Sequence, residues 1–350
     1  MSTSHSQDTV ATGDKITPVD NIENAGSASH DESSIMAPPP DSNYGADLWW
    51  PRTREVCQDF FSEFAGTMVL ILFGDGVVAQ VVLSEGEKGN YQSISWGWGE
   101  EALLAAVVRF WLLTTLRNRL GVMLGFLVSK KSGGHINPAV TFCNCLYRGL
   151  PWRKFPVYFM GQLLGAMAGA FIVYGNYYHA INHFEGGVGI RTVTGPTATA
   201  GIFCTYPAEF MTREGMWWSE FIASAILMFV IFGLVDPKNG ATGNHFALAL
   251  LFLIFGIGAC FGWQTGYAIN LARDFGPRLV SYIVGYGHEV WSAGGYYFWI
   301  PMVAPFFGTM FGGFLYDTFL YTGETPINTP WFGLKRFLHP TRQVWSNSKV

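Results

Sequence analysis

Two stretches carry the side chains best suited to chemistry. They are Gly133-Gly134-His135-Ile136-Asn137-Pro138-Ala139 and Gly266-Tyr267-Ala268-Ile269-Asn270-Leu271-Ala272. In each, a loop approaches an asparagine, and an apolar piece too short to cross a bilayer follows, at 138–146 and 271–280. An asparagine in that place caps a helix start, and Pro138 suits the first helical position. The first N–H groups of such a helix point free, and its dipole puts partial positive charge there. Asn137 and Asn270 are expected to cap these half-helices and to aim their side-chain NH₂ groups into a pore. Donors and positive potential at mid-membrane accept the oxygen of water or a polyol and repel cations and protons. One Asn-Pro-Ala alone reads more readily as a capped turn. Its recurrence at a matching place favours the pore.

Such half-helices need a membrane scaffold, because non-helical backbone at depth is tolerated only in protein or beside a wet cavity. The chain supplies one. Of its 350 residues 49% are hydrophobic and only 13% charged, with the apolar ones clumped. Segments 60–83, 94–128, 155–178, 217–235, 246–262 and 296–321 are long enough to cross, which predicts six transmembrane helices. With both termini cytoplasmic, the inner segments hold twelve bases and the outer loops only Lys88, Arg191 and Arg213, as the positive-inside rule requires.

The halves repeat. Ser62-Glu63-Phe64 opens the first span and Ser219-Glu220-Phe221 the fourth, each followed downstream by one of the Asn-x-Ala pieces. Three spans per half is an odd number, so the second copy lies inverted, with the pathway at the midplane where the repeats meet. The expected fold is an all-α membrane protein of six crossings and two re-entrant half-helices.

Other features exclude other classes. The first 50 residues carry eight acids, one base and Pro38-Pro39-Pro40, a composition expected to be a disordered cytosolic tail and not a signal peptide. Residues 323–350 read as a second cytosolic tail. The five cysteines lack metal spacing and read as apolar fillers. No basic cluster fits nucleic acid, no nucleophile–base constellation fits an enzyme, and no metal or cofactor is expected. A coupled transporter would need an acidic cluster beside the motifs, and none is present.

The paired motifs, with Arg273-Asp274-Phe275-Gly276-Pro277 after the second, resemble the major intrinsic protein (aquaporin) family over residues 55–322, within a channel domain taken as 51–322. Asp274 after Arg273 and the long loop near 179–216 look like the aquaglyceroporin branch, and Ser95-Trp96-Gly97-Trp98-Gly99 looks like its fungal members. The resemblance implies the aquaporin fold, a homotetramer with one pore per subunit, and an outer constriction of Trp98, Gly258, Tyr267 and Arg273. Two aromatic faces would hold a polyol's carbons, Arg273 would donate to its hydroxyls, and Gly258 would leave room for three carbons. Glu63, Glu220 and His135 would brace the re-entrant loops. Leu271 departs from the family's proline and predicts a less rigid start to the second half-helix.

A larger departure concerns length. Glu63 to Asn137 spans 74 residues, whereas Glu220 to Asn270 spans 50. Removing 100–119 leaves 54 and joins Gly97-Trp98-Gly99 to Leu120-Gly121-Val122, as the family reads. That segment is therefore read as an insertion in the second span, with part of 94–119 extruded as an extracellular or interfacial helix. If the span instead kept the residues from Leu120 onward, Asn118 would take the place of Trp98. The function expected is a passive plasma-membrane channel for glycerol, water and other small neutral solutes, excluding ions and protons. The alternative is a non-conducting splice isoform or assembly partner.

Overall fold

The computed structural model describes residues 48–99 and 121–328. The chain divides into two units at Pro51/Arg52, and the second holds both Asn-x-Ala motifs and the long apolar segments. The regular elements among the described residues are all helices. After a short α1 (Trp49–Val56) come α2 (Gln58–Leu83), α3 (Tyr91–Gly99), α4 (Gly121–Val128), α5 (Pro138–Tyr147), α6 (Phe155–Phe184), α7 (Arg213–Val235), α8 (Phe246–Thr265), α9 (Leu271–Ser281), α10 (Glu289–Tyr296) and α11 (Trp299–Phe319).

Five of these, α2, α6, α7, α8 and α11, are long and apolar enough to cross a membrane, as parts of or whole spans. Of the remaining expected crossing, the described residues include two short helices, α3 and α4. α3 has nine helical residues and α4 has eight, and both pack between α2 and α8 while touching each other. At 1.5 Å per residue the two pieces rise roughly 25 Å together, close to a bilayer core of ~30 Å. Residues 94–99 stay inside α3, where Ser95 and Trp98 are buried, so this part of the segment is not extruded. The proposed insertion itself, 100–119, and Asn118 with it, lie outside the described residues, as do the tail positions 1–47 and 329–350.

The sequence repeat extends into the packing. In the first half, Gly165 of α6 sits where an added Cβ would come within 2.2 Å of the Phe64 carbonyl oxygen on α2. In the second, Gly308 of α11 bears the same relation, 2.2 Å, to the Phe221 carbonyl on α7. Membrane helices lack a hydrophobic force between them and gain from close backbone approach, which small residues permit. The spacing Gly161, Gly165, Gly169 repeats along α6 against α2 for this reason. α4 crosses α2 through a similar contact of Gly125 with Gly66.

α5 and α9, of ten and eleven residues, are the two half-helices. α5 packs on α6 and α11, and α9 on α6 and α11 as well. The far end of α5 is held by Arg148, whose Nη2 lies 2.6 Å from the Asp317 carboxylate and whose guanidinium stacks 3.7 Å above the Phe232 ring.

Candidate functional site

Each half-helix starts at its asparagine. Asn137 has extended torsions (φ −152°, ψ 120°) and its Oδ1 accepts from the Ala139 N–H at 2.9 Å. Asn270 is nearly identical (φ −153°, ψ 111°), and its Oδ1 accepts from Ala272 at 3.0 Å and Arg273 at 3.3 Å. The start at Leu271 therefore has the shape of the start at Pro138, because the cap geometry carries what the proline ring would otherwise impose.

The side-chain amides also join the two halves. Asn137 Nδ2 donates to the Ile269 carbonyl at 2.9 Å, and Asn270 Nδ2 to the Ile136 carbonyl at 2.8 Å. One hydrogen of each NH₂ is thus committed to the opposite loop, and the second is left for the cavity. This cross-brace is absent from a reading of either motif alone.

Ile136 and Ile269, the residues before the asparagines, are both left-handed, with φ of 44° and 41°. A β-branched residue adopts this only where its surroundings impose it. The surroundings are two fully buried carboxylates. Glu63 accepts from the N–H of His135 at 3.0 Å and of Ile136 at 2.7 Å, and from the Ser132 hydroxyl. Glu220 accepts from Ala268 at 3.0 Å, Ile269 at 2.8 Å and the Thr265 hydroxyl at 2.7 Å. Counted back from each asparagine, the donors hold the same three positions in both halves. Gln162 adds a bond to Glu63 at 2.7 Å. His135 meets the Thr141 hydroxyl through Nδ1 at 3.2 Å, and its ring borders the cavity. Sequence reasoning passed over Ser132, Thr265 and Gln162. Aligning the two halves on their asparagines would have flagged the first two, whereas nothing local marks Gln162.

A cavity of about 450 Å³ runs through these parts. Lys130 and the loop 241–244 border it at one end, Asn137 and Asn270 line it, and Trp98, Tyr267 and Arg273 bound it at the other. Its walls between are apolar, with Leu70, Val140, Leu227 and Ile254 among them. Arg273 places its guanidinium 4.2 Å over the Trp98 ring and donates to the Phe203 carbonyl at 3.4 Å. One face of Trp98 is therefore covered by the cation and is not open to a solute's carbons. Asp274 faces away from Arg273's contacts. It pairs with Arg278 at 2.8 Å and accepts from the Thr205 N–H and hydroxyl at 2.8 and 2.7 Å, tying the outer loop to α9.

Gly258 does not line the cavity as expected. A Cβ there would lie 2.9 Å from Cζ of Tyr267 and 3.0 Å from its hydroxyl. The space its missing side chain leaves is filled by the Tyr267 ring. Trp98, Tyr267 and Arg273 are thus brought together at the cavity end, while Gly258 stands behind Tyr267.

Residues 51–316 match the model for the family described as "Major intrinsic protein". The chain is 66% identical over 311 residues to a probable aquaglyceroporin-2 of Gibberella zeae, covering 89% of this chain and 85% of that protein. It is 62% identical over 292 residues to aquaglyceroporin-9 of Botryotinia fuckeliana, where it covers 83% of its own length but only 60% of the relative's. The X-ray structure of the aquaglyceroporin from Plasmodium falciparum matches with a TM-score of 0.62 and 31% identity, covering 75% of this chain and 96% of that one.

Proposed function

The chain belongs to the major intrinsic protein family and is a membrane channel, not an enzyme; from this we propose that it passes glycerol and water through the cavity between its two half-helices. The observation that carries this reading is the pair of asparagines, each capping a half-helix and each bonded to the opposite loop, on one cavity with apolar walls. The free amide hydrogens and first-turn N–H groups supply donors in a line that is otherwise greasy. A polyol presents hydroxyl oxygens to the donors and carbons to the walls.

Ion exclusion follows from the same parts. Each half-helix start carries roughly half an elementary positive charge. At ~5 Å and an effective dielectric of ~20, two such ends repel a monovalent cation by about 3 kcal/mol, before the loss of its hydration. Arg273 adds a full charge at the constriction. Its stacking on Trp98 is worth about 0.5–2 kcal/mol, little enough for a hydroxylated solute to draw the guanidinium off the ring by accepting its hydrogen bonds. Trp98, Tyr267 and Arg273 are therefore assigned to the filter, and Asn137, Pro138, Ala139, Asn270, Leu271 and Ala272 to the central donors. Glu63, Glu220, His135 and Asp274 hold the loops.

The remaining assignments are a homotetramer in the plasma membrane, with both termini and the tails 1–50 and 323–350 cytoplasmic. The twelve-to-three bias of bases supports the orientation. Stopped-flow light scattering on proteoliposomes holding the full chain tests the function. Glycerol and water fluxes well above those of empty vesicles are expected, without proton leak. Water flux with no glycerol flux would overturn the substrate assignment.

A further inference from the structure

We propose that Tyr91 is a positioning residue for the constriction, pinning α3 to α8 and holding the ring of Tyr267 at the end of the cavity. The inference rests on the proposed channel function. α3 is only nine residues long and carries Trp98 next to its last residue. Something must set its depth and rotation, since a slip of one residue moves Trp98 by about 1.5 Å and 100°.

Tyr91, Ser95 and Trp98 stand four and then three residues apart, on one face of that helix. Tyr91 donates its phenol hydrogen to the Gly258 carbonyl of α8 at 3.0 Å, a bond between residues 167 apart in sequence. Its hydroxyl lies over Gly262, where an added Cβ would come within 1.9 Å of the oxygen. The same Cβ would come within 2.8 Å of Cδ1 of Tyr267. One turn along α8, a Cβ on Gly258 would meet Cζ of Tyr267 at 2.9 Å. The two glycines therefore form one flat shelf on α8, and the two tyrosines lie on it together.

Tyr267 needs such a seat. Its backbone is left-handed at φ 37°, which a tyrosine adopts only under constraint, and its side chain is buried. At the other end of the face, Trp98 rests on Gly74 of α2, where a Cβ would lie 2.3 Å from the indole. Tyr91 is not among the residues lining the cavity; it acts through the rings that are. A three-carbon solute that must pass between those rings and Arg273 senses their placement more than water does.

The test measures glycerol and water permeability of the full chain in proteoliposomes, per tetramer counted by size-exclusion chromatography. Tyr91→Ala removes ring and hydrogen bond, Tyr91→Phe only the hydrogen bond, and Gly262→Ala displaces the phenol from the shelf and also presses on the Tyr267 ring. Tyr91→Ala is expected to change the glycerol-to-water flux ratio by about threefold or more, on the scale of one lost hydrogen bond and its packing. Gly262→Ala should do the same, and Tyr91→Phe should shift the ratio in the same direction by less. A ratio equal to wild type in Tyr91→Phe and Gly262→Ala, whether or not the Ala variant folds, overturns the proposal. So does a parallel fall of both fluxes, which is what a merely structural role would give. Failure of the channel reading is separate, because wild-type vesicles would then pass no glycerol at all.

Discussion

Replacing Glu220 by glutamine probes what holds the second re-entrant loop. Oε1 accepts from Thr265 Oγ1 at 2.7 Å and from the Ala268 N–H at 3.0 Å, and Oε2 accepts from the Ile269 N–H at 2.8 Å. Glutamine must turn an NH₂ toward one oxygen's partners. The lesser loss is at the Oε2 position, where it faces only Ile269, donor against donor. One buried backbone N–H is then unpaired, at about 1–3 kcal/mol, and the three surviving bonds at Oε1, from Thr265, Ala268 and the Tyr297 hydroxyl at 3.3 Å, lose their charge assistance. The sum is about 3 kcal/mol, which corresponds to a fall of several degrees in melting temperature. Thr265→Val deletes a single hydroxyl donor and should cost about 1 kcal/mol. Function should follow stability here, because the Ile269 carbonyl receives the Asn137 amide, so a relaxed Ile269 loosens both asparagines. Differential scanning fluorimetry in detergent and glycerol flux in proteoliposomes read the two effects. The expected order is wild type, Thr265→Val, Glu220→Gln in both. A Glu220→Gln protein that melts within a degree of wild type at full flux would refute the bracing role.

Arg273→Val removes the fixed charge at the constriction and should admit protons or cations; tight exclusion in planar-bilayer recordings of the mutant would contradict the filter assignment. Deleting residues 100–119 joins Gly99 to Leu120 and should make the second crossing one continuous helix, raising thermal stability and glycerol flux. A decrease in both would show that the segment is integral to this pore. Asp75 lies fully buried in α2, and neither carboxylate oxygen has a hydrogen-bond partner among the described residues. Asp75→Asn should therefore melt at or above the wild-type temperature, since it removes a buried carboxyl that no hydrogen bond from the described residues holds, at little change in volume. A loss of several degrees would mean that the carboxylate has a partner of its own.

The features legible in the sequence are those encoded within a few residues. Long apolar runs demand a bilayer whatever surrounds them. An asparagine ahead of a short apolar helix caps it through an N–H two residues on, so the half-helices at Asn137 and Asn270 were readable from local chemistry. The repeat of Ser-Glu-Phe was visible too, and with it the inverted halves. Tertiary structure decided what depends on contacts between distant segments. The asparagine amides bond across 132 and 134 residues, and Gln162 reaches Glu63 across 99. No local pattern encodes such pairs, because the close approach of glycine-lined helices creates them. Gly258 shows the limit most clearly. Its small size was evident, but what fills the space beside a glycine is chosen by its neighbours, and here that is Tyr267. Trp98 was likewise a candidate by motif alone. Its seat on Gly74 and its place beneath Arg273 come from α3 packing between α2 and α8.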